Sequence, residues 1–374
     1  MFANIRTSFA DLGFNESNIR DRYVFESDPA GSFVLPTFPK RKAETITGLD
    51  VLVHLFMGQE SLPLDLVEQF LGQRCFSGLR EVNLMRLEDE GATCRATVRI
   101  EPVKKLLVCA DLFPRKSSSK KIPLRSDHVY RPWDFSAQMY GRIIPEIPCR
   151  SFLEMCCGSA YVCLAAAKNF AESVYGVDIN ERAIRFAEFN KKLNGIENVT
   201  LYSGDLFEPV QSHTFDRIVA HPPYVPALVE SLTFADGGVD GERVSTALIR
   251  EMPRYLADGG EFCSYLALSD RVDAPAELRV REMLGTYGQE LDVALLVMAE
   301  RSPASFLISR SDPTPFSEEN EQLQDACRKL GITRFITTAL TIRSRKGSAP
   351  LTLRHRAVSW QTVRAMSETM TFAR

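Results

Sequence analysis

The sequence predicts an α/β protein of two domains, a small α+β domain followed by a larger domain with a mainly parallel sheet. The chain has 374 residues, which at about 100–200 residues per domain is enough for two domains. From about Ser151 onward, short apolar runs alternate with segments of helical periodicity. This alternation is typical of a parallel sheet covered by helices on both faces. We place the boundary after residue 128, so that the domains comprise residues 1–128 and 129–374.

The composition excludes several classes of protein. Hydrophobic residues make up 45% and charged residues 25% of the chain, which excludes a disordered protein. The net charge of −3 argues against a dedicated nucleic-acid-binding protein, because binding the phosphate backbone usually goes with a strongly basic charge balance. No window approaches the ~20 consecutive apolar residues of a membrane span, and Asp11 interrupts the N-terminus before a signal peptide could form. The nine cysteines lack metal-ligand spacing and predict reduced thiols, a cytoplasmic location and no metal site.

The first domain contains some segments with the apolar spacing of helices and others with the alternation of strands. Helices are predicted at Leu49–Met57 and Leu62–Leu71, and strands at Leu79–Leu87, Cys94–Ile100 and Leu106–Leu112. Helices followed by a small sheet predict a winged-helix-like domain, which we expect to shape the substrate site or to mediate dimerisation. The Ser- and Lys-rich stretch Arg115–Arg125 predicts an exposed linker.

The second domain alternates strands with helices. Strands are predicted at Ser151–Met155, Ser173–Val177, Val199–Tyr202, Phe215–Ala220, Glu261–Leu268, Ser302–Ser309 and Thr333–Ile342, and helices at Tyr161–Phe170, Asn180–Leu193 and Asp325–Gly331. Asn180 is the expected N-cap of its helix and Gly195 the expected stop. Ligands of such sheets bind beyond the carboxyl ends of the strands.

The first two strands of this domain end in residues suited to a nucleoside ligand. The turn Cys156–Ala160 has small side chains, which let a ligand approach the backbone at a helix start, although a tight turn explains it equally well. Asp178 ends the next strand, 24 residues after Glu154, where a carboxylate accepts both hydroxyls of a ribose. Helix capping is the alternative role of Asp178, but Asn180 fits the cap better.

Two further strand ends carry ligand-binding candidates. Asp205 can accept an adenine amino group, with Leu206 or Phe207 against the ring, although an ordinary turn aspartate is the alternative. The segment His221–Tyr224 reads His-Pro-Pro-Tyr, in which two prolines rigidly present backbone carbonyls and an aromatic ring.

These four segments follow successive strands in the same order as in a known family. Over about Arg131–Leu268, the sequence resembles the class I S-adenosylmethionine-dependent methyltransferases. It is similar to the small-domain branch with Asn/Asp-Pro-Pro-Tyr, which includes protein-glutamine N5-methyltransferases and amino-methylating nucleic-acid enzymes. Asp236–Gly241 is similar to the Gly-Gly-x-Asp-Gly stretch of the glutamine methyltransferases, and Arg131–Asp134 resembles their Arg-Pro-Glu-Thr segment. The resemblance implies a Rossmann-like domain with a seven-stranded, mainly parallel sheet and S-adenosyl-L-methionine as cofactor.

The resemblance also implies roles for single residues. Residues expected to bind the cofactor, from its amino-acid part to its adenine, are Glu154, Cys156, Cys157, Gly158, Asp178, Ile179, Asp205, Leu206, Phe207 and His221. Catalysis is expected of His221, Pro222 and Tyr224: backbone carbonyls of the first two accept hydrogen bonds from the methyl acceptor, and the ring of Tyr224 stacks on it. Asp236 and Asp240 are expected, with Tyr224, on the substrate side.

Two departures from the family pattern bear on the acceptor. The glycine-rich turn of the family is Cys156–Ala160 here, and His221 stands where the family has Asn or Asp. A neutral imidazole cannot copy the donor and acceptor of an amide, but it can take up a proton near pH 7. We therefore expect N-methylation of a planar nitrogen (amine, guanidinium or amide) of a small metabolite, as in natural-product biosynthesis. In the alternative, His221 contributes only its backbone carbonyl.

Other functions and partners stay open. The enzyme alternative is methylation of a macromolecule, either an RNA base or a protein glutamine. A cofactor-binding protein with degraded catalysis and transfer of the cofactor's aminocarboxypropyl arm are further alternatives. Basic residues in Lys104–Arg125 and Arg328–Arg374 can attract an anion or RNA, although aromatic residues are not interleaved with them as stacking platforms. We expect a small-molecule substrate and no membrane, and a homo-oligomer is compatible with the sequence.

Overall fold

The computed structural model describes residues 1–24, 40–41, 45–113, 124–229, 232–308, 318–344 and 349–357. The predicted linker Arg115–Arg125 lies outside these residues except at its C-terminal end, and so does part of the basic run Arg328–Arg374. Within the described ranges, no helix is both long enough and apolar enough to cross a membrane. All nine cysteines are free thiols. The cytoplasmic location stays a prediction.

The N-terminal part combines short helices with small antiparallel sheets. Its helices are α1 (Phe2–Asp11), α2 (Glu16–Arg22), α3 (Gly48–Leu52) and α4 (Leu64–Glu81), and its strands are β1 (Tyr23–Val24), β2 (Lys40–Arg41), β3 (Ser61–Pro63), β4 (Met85–Glu88), β5 (Thr93–Ala96), β6 (Arg99–Val103) and β7 (Leu106–Ala110). Strands β3, β5 and β4 form one sheet, and β6 and β7 form a hairpin. The strand predicted at Leu79–Leu87 is wrong in its first half, because α4 continues through Leu79 and buries that side chain.

The C-terminal part is an α/β fold around one eight-stranded sheet. Its helices are α5 (Phe135–Ile143), α6 (Tyr161–Asn169), α7 (Glu181–Asn194), α8 (Arg243–Glu251), α9 (Ala276–Met283), α10 (Pro303–Ile308) and α11 (Glu318–Lys329), and its strands are β8 (Cys149–Met155), β9 (Ala171–Asp178), β10 (Val199–Ser203), β11 (Phe215–Ala220), β12 (Leu256–Arg271), β13 (Leu291–Arg301), β14 (Ile332–Ser344) and β15 (Thr352–Arg356). The strand order is β10-β9-β8-β11-β12-β14-β13-β15. Only β14 is antiparallel to its neighbours, so the mainly parallel sheet is confirmed. Strand β15 adds an eighth strand beside β13.

Of the strand predicted at Ser302–Ser309, the structure describes residues 302–308, and α10 occupies nearly all of these, so the prediction is wrong there. Pro303 lies at the first helical position, where its missing N–H costs nothing. The hydroxyl of Ser302 accepts a hydrogen bond from the backbone N–H of Ser305 at 3.3 Å, which caps the helix. The sheet strand that belongs in this region is β13, immediately before α10.

The N-terminal part docks on α7 through two asparagines. Asn190 accepts a hydrogen bond from the backbone N–H of Cys109 at 2.8 Å and donates one to its carbonyl at 3.0 Å. One helical turn later, Asn194 makes the same pair of bonds with the backbone of Leu107, at 2.9 and 2.8 Å. The free edge of β7 is therefore paired with helix side chains instead of a further strand.

The order of the strands determines where a ligand can bind. After β8 the chain adds β9 and β10 on one side and then returns to add β11 on the other. A crevice opens at such a reversal, beyond the carboxyl ends of the strands. The four segments singled out in the sequence follow β8, β9, β10 and β11, so the topology brings them to one edge of the sheet.

Candidate active site

A cavity of about 410 Å³ lies at this edge, within the size range of small-molecule sites. Twelve of the residues predicted to form the site border it: Glu154, Cys156, Cys157, Gly158, Asp178, Ile179, Asp205, Leu206, His221, Pro222, Tyr224 and Asp236. Phe207 and Asp240 are not among the bordering residues. The structure therefore brings together residues from all four strand ends. The packing of Phe207 and Asp240, described below, explains why these two do not border the cavity.

The turn after β8 is held in a strained conformation. Cys156 and Ala160 have positive φ angles of 56° and 59°, although neither is glycine. This left-handed conformation costs roughly 1–2 kcal/mol for a residue with a Cβ. The backbone N–H of Cys157 is bonded to the carbonyl of Val177 at 3.1 Å, and the N–H of Gly158 to the carboxylate of Asp178 at 2.8 Å. Hydrogen bonds to the neighbouring strand thus hold the turn beside the cavity, although Gly158 is its one glycine.

Glu154 lies beneath this turn, with 2% of its surface exposed. Its carboxyl group accepts a hydrogen bond from the backbone N–H of Cys163 in the first turn of α6 at 2.8 Å. Burial raises the pKa of Glu154 to about 8, against the opposing effect of the hydrogen bond from Cys163. At neutral pH this carboxyl group is therefore mostly protonated.

Asp178 ends β9 beside the turn. One oxygen accepts from the N–H of Gly158, and the other accepts from the N–H of Asn180 at 2.9 Å. Each carboxylate oxygen has a second lone pair, which is free for a hydroxyl group. Asn180 caps α7 by accepting from the backbone of Arg182 and Ala183, as predicted. Burial raises the pKa of Asp178.

Leu206 and Phe207 are the two residues predicted to lie against the adenine ring, and they pack differently. Leu206 borders the cavity with a φ of 44°. Phe207 is 1% exposed, and its ring stacks on Tyr255 with centroids 4.3 Å apart. Phe207 is therefore a core residue, and the prediction that it contacts the cofactor is wrong. Asp205 borders the cavity next to Leu206.

The His221–Tyr224 segment, which follows β11 beside β8, forms another wall of the cavity. The ring of His221 lies among Tyr140, Tyr224 and Tyr265, at centroid distances of 5.1, 5.7 and 5.5 Å. Tyr224 is 7% exposed. The preceding carbonyl, that of Ala220, accepts a hydrogen bond from the hydroxyl of Ser264 at 2.9 Å, which fixes the end of β11.

A glycine-rich loop, residues 232–242, braces this wall. Val225 donates to the carbonyl of Ala235 and accepts from the N–H of Gly237, both at 2.8 Å. A Cβ on Gly241 would lie 2.6 Å from the carbonyl oxygen of Tyr224, so only glycine fits there. The aspartate of the Gly-Gly-x-Asp-Gly stretch thus sits in a loop that packs on the backbone of Tyr224.

The two aspartates of this loop have different surroundings. Asp236 borders the cavity, and its carboxylate accepts from the backbone N–H of Leu232 at 2.8 Å. Asp240 instead accepts from the N–H of Glu242 and from the guanidinium of Arg271, at 3.0 and 2.7 Å. Asp240 therefore anchors the loop to β12, and the prediction that it faces the substrate is wrong. Glu242, 2% exposed, adds a second anchor through Arg279 and Ser269.

The segment of residues 124–134 also borders the cavity, although no site residue is predicted there from the sequence. Its bordering residues are Ser126, His128, Val129, Tyr130, Arg131 and Pro132. Tyr130 stacks on Phe234 with centroids 4.8 Å apart. Only the weak likeness of Arg131–Asp134 to a family segment pointed here, because isolated aromatic residues and histidines carry no spacing signal.

Several known proteins are similar to this chain in sequence. A family model described as "Methyltransferase domain" matches residues 150–283. A protein of Methanocaldococcus jannaschii named "Putative protein N5-glutamine methyltransferase" is 36% identical over 138 residues, which cover 35% of this chain and 68% of that protein. The chain belongs to the class I S-adenosylmethionine-dependent methyltransferases.

Two further curated relatives are matched over less than half of their own length. The release factor glutamine methyltransferase of Thermodesulfovibrio yellowstonii is 36% identical over 120 residues, covering 29% of this chain and 43% of that protein. The ribosomal protein uL3 glutamine methyltransferase of Bradyrhizobium diazoefficiens is 37% identical over 124 residues, covering 30% and 39%. Among solved structures, the ribosomal protein L11 methylase of Lactobacillus delbrueckii subsp. bulgaricus covers 57% of this chain and 77% of its own, at 19% identity and a TM-score of 0.32.

The site fits the cofactor of this family, S-adenosylmethionine. The turn Cys156–Ala160 lies beside the carboxylates of Asp178 and Asp205, which follow adjacent strands. Cationic and hydroxyl-bearing ligands require such acceptors. The described residues contain no group of three or more side chains that could hold a metal ion. Because the chain belongs to this family, the protein is an S-adenosylmethionine-dependent methyltransferase.

Proposed function

We propose that this methyltransferase acts on the side-chain amide nitrogen of a glutamine in a protein substrate. The observation that carries the proposal is the His221–Tyr224 wall braced by the loop of residues 232–242. Both segments are similar to those of the glutamine methyltransferases, and relatives at 36–37% identity are named for glutamine methylation of release factors and of ribosomal protein uL3. The N-terminal part, residues 1–128, then shapes the substrate side of the cavity.

In this proposal one end of the cavity binds the cofactor. The backbone turn at Cys156–Ala160 holds the amino-acid part, Asp178 accepts the ribose hydroxyls, and Asp205 with Leu206 holds the adenine. The cofactor supplies an activated methyl group, so that the protein has only to position the acceptor and exclude water. The protonated Glu154 stabilises the turn from beneath by its bond to α6.

The other end binds the acceptor. The ring of Tyr224 offers a flat apolar surface for a planar amide, and the carbonyls of His221 and Pro222 can accept its N–H groups. When nitrogen gains the methyl group, it releases one proton. The imidazole of His221, enclosed by three tyrosine rings, occupies the place of the family's amide and can accept one hydrogen bond or this proton.

A second candidate function is N-methylation of a small planar nitrogen compound, as expected from the sequence. It rests on one observation, the imidazole of His221 where the family has an amide. A base at this position suits an amine or guanidinium that must lose a proton before it reacts.

The experiment compares both acceptor classes directly. The purified protein is incubated with isotopically methyl-labelled S-adenosylmethionine and either release factors and ribosomal protein uL3, a panel of small amines, guanidines and amides, or RNA. We expect label on a glutamine side chain, located by peptide mass spectrometry. Asp178→Asn is the control, and we expect it to weaken binding of S-adenosylhomocysteine about tenfold or more. Label only on small compounds or on RNA would exclude the proposed function.

The variant His221→Asn restores the amide of the family. If the imidazole stands in for that amide, His221→Asn retains activity on glutamine within about tenfold. A larger loss would identify the imidazole as a base and favour the second candidate.

A further inference from the structure

The segment of residues 124–134 depends on other elements for its position beside the cavity. The structure describes all of these residues, and none of them lies in a helix or a strand. At the C-terminal end of the segment, the backbone N–H of Trp133 donates to the carboxylate of Glu101 at 2.9 Å, and its indole N–H donates to the carbonyl of Pro102 at 2.6 Å. The middle of the segment, which borders the cavity, is held in a different way.

An ion pair holds this middle part. The two carboxylate oxygens of Asp111, which follows β7, accept hydrogen bonds from both terminal nitrogens of Arg182 in α7. Asp111 also bonds to the backbone of Val129: its carboxylate accepts from the N–H at 2.8 Å, and its own N–H donates to the carbonyl at 3.1 Å. The side-chain amide of Asn180 donates to the carbonyl of Asp127 at 2.9 Å. The end of β7, the segment and the start of α7 therefore meet at Asp111.

The local preferences of a helix do not explain Arg182. It is the second residue of α7, where the positive end of the helix dipole disfavours a cation. Its partner Asp111 is 8% exposed, and a pair that uses both oxygens and both terminal nitrogens is strong and directional. A residue that is locally unfavourable and precisely paired over a long range indicates a role in tertiary structure.

The segment held by this pair contacts the loop of residues 232–242. The backbone N–H of Thr233 donates to the carbonyl of Ser126 at 2.9 Å, and the ring of Phe234 stacks on that of Tyr130 with centroids 4.8 Å apart. These four residues border the cavity, whereas the two members of the ion pair do not. A shift of the segment would therefore move both sides of this part of the cavity.

We propose that Asp111 and Arg182 are positioning residues for the methyl acceptor. Their ion pair fixes the segment of residues 124–134 to α7, and the segment in turn fixes the loop of residues 232–242. The inference rests on the proposed function only in placing this loop on the acceptor side of the cavity. It applies equally to a protein glutamine and to a small nitrogen compound.

The deciding variant is Arg182→Met, which removes the guanidinium and keeps an apolar side chain beside the ring of Phe186. With a release factor or ribosomal protein uL3 as the methyl acceptor, we expect kcat/KM to fall about tenfold or more, mainly through KM. The carboxylate of Asp178 keeps its bonds from the N–H groups of Gly158 and Asn180. We therefore expect the Kd for S-adenosylhomocysteine to change by less than about twofold.

A double variant separates positioning from stability. Arg182→Met leaves the buried carboxylate of Asp111 without its guanidinium, so we expect the melting temperature to fall. Adding Asp111→Asn removes that charge, and we expect most of the melting temperature to be recovered. We expect kcat/KM to stay low in the double variant, because the ionic link between the segment and α7 is still missing.

Two single variants complete the comparison. Arg182→Lys supplies one ammonium group in place of the bidentate guanidinium, and we expect a loss of kcat/KM smaller than that of Arg182→Met. Arg185→Met is the matched control on the same helix: Arg185 pairs with Glu181 at 3.8 Å on the surface, and its side chain is 68% exposed. We expect the control to leave kcat/KM unchanged.

Hydrogen exchange follows the segment without any acceptor. The N–H of Val129 is bonded to the carboxylate of Asp111, and the N–H of Thr233 to the segment itself. In Arg182→Met we expect faster exchange at both of these amides. The N–H of Gly158, which is bonded to Asp178, is expected to exchange as in the wild type.

Three results would overturn the inference. Unchanged kcat/KM in Arg182→Met would mean that the ion pair does not position the acceptor. Joint recovery of melting temperature and kcat/KM in the double variant would mean that the pair acts on stability alone. A loss of S-adenosylhomocysteine affinity as large as the loss of kcat/KM would assign the pair to the cofactor end of the cavity.

The proposed function can fail separately from this inference. If the wild type methylates a small nitrogen compound and no glutamine, the proposed function is excluded. The same variants are then compared on that compound, and the same fall in kcat/KM is expected. If the wild type methylates a glutamine and Arg182→Met does so equally well, only the role of the ion pair is excluded.

Discussion

The buried carboxyl group of Glu154 makes the stability of the folded protein depend on pH. The folded protein holds this carboxyl group with a pKa of about 8, compared with 4.5 for an ordinary glutamate. Between these values the folded state binds one proton more than the unfolded chain, so stability falls as pH rises. The contribution of Glu154 is complete below pH 4.5 and is lost as the pH rises through 8.

The variant Glu154→Gln tests this dependence, because glutamine keeps the acceptor for the N–H of Cys163 and cannot ionise. From pH 6 to 9 we expect the melting temperature of the wild type to fall more steeply than that of the variant. The raised pKa of Asp178 acts in the same direction in both proteins, so the difference between the two curves reports Glu154 alone. Parallel curves would contradict the assigned pKa.

At the scale of elements, the loop of residues 232–242 braces the His221–Tyr224 wall and also borders the cavity through its own residues 232–236. Two anchors fix the loop to β12 and α9: Asp240 bonded to Arg271, and Glu242 bonded to Arg279. The loop then meets the backbone of Tyr224 so closely at Gly241 that no side chain fits. We therefore expect changes at Gly241 to alter the His221–Tyr224 wall more than the turn at Cys156–Ala160.

The variant Gly241→Ala tests this role. The added Cβ would lie 2.6 Å from the Tyr224 carbonyl oxygen and displace the wall, so we expect kcat to fall about tenfold or more. Binding of S-adenosylhomocysteine, measured by calorimetry, is expected to stay within about twofold.

Gly259→Ala is the matched control for this variant. Gly259 has a φ of 74°, close to the 77° of Gly241, but a Cβ there meets nothing within 4 Å. Both variants carry the backbone strain, and only Gly241→Ala carries the collision. Equal losses of activity in the two would show that strain alone, and not the contact with Tyr224, is responsible.

At the scale of the whole molecule, Asn190 joins the N-terminal part to the cofactor turn. It is 0% exposed, and besides its two bonds with Cys109 it donates to the carbonyl of Ser159 at 3.0 Å. Ser159 lies in the turn at Cys156–Ala160. One amide thus ties β7, α7 and the cofactor turn together.

We expect Asn190→Ala to destabilise the protein by at least about 2 kcal/mol, because it leaves three buried backbone groups without partners. Chemical denaturation measures this loss, and calorimetry should show weaker binding of S-adenosylhomocysteine. Asn198→Ala is the control: this exposed amide also donates to three carbonyls, those of Ala167, Ala171 and Glu172, but water can replace it. Similar losses in both variants would contradict the role of Asn190 as a buried junction.

Local signals in the sequence were sufficient for the core of the methyltransferase fold. The strand Phe215–Ala220 and the helix between the Asn180 cap and the Gly195 stop occur where predicted. Both rest on interactions within a few residues, which a sequence displays directly. The strand predicted at Ser302–Ser309 is wrong over residues 302–308, because the short apolar run also suits a helix that begins with a Ser cap and Pro303.

The sequence by itself determined the family, the cofactor and the strand ends at which ligands gather, because motif spacing and chain order fix which residues follow which strands. The tertiary structure decided which of those residues face the cavity. Leu206 does and Phe207 does not, because Tyr255 covers the ring of Phe207, and Asp240 turns away to Arg271. It also brought in His128 from outside every motif. Contacts between residues far apart in the chain make these choices, and no local pattern records them.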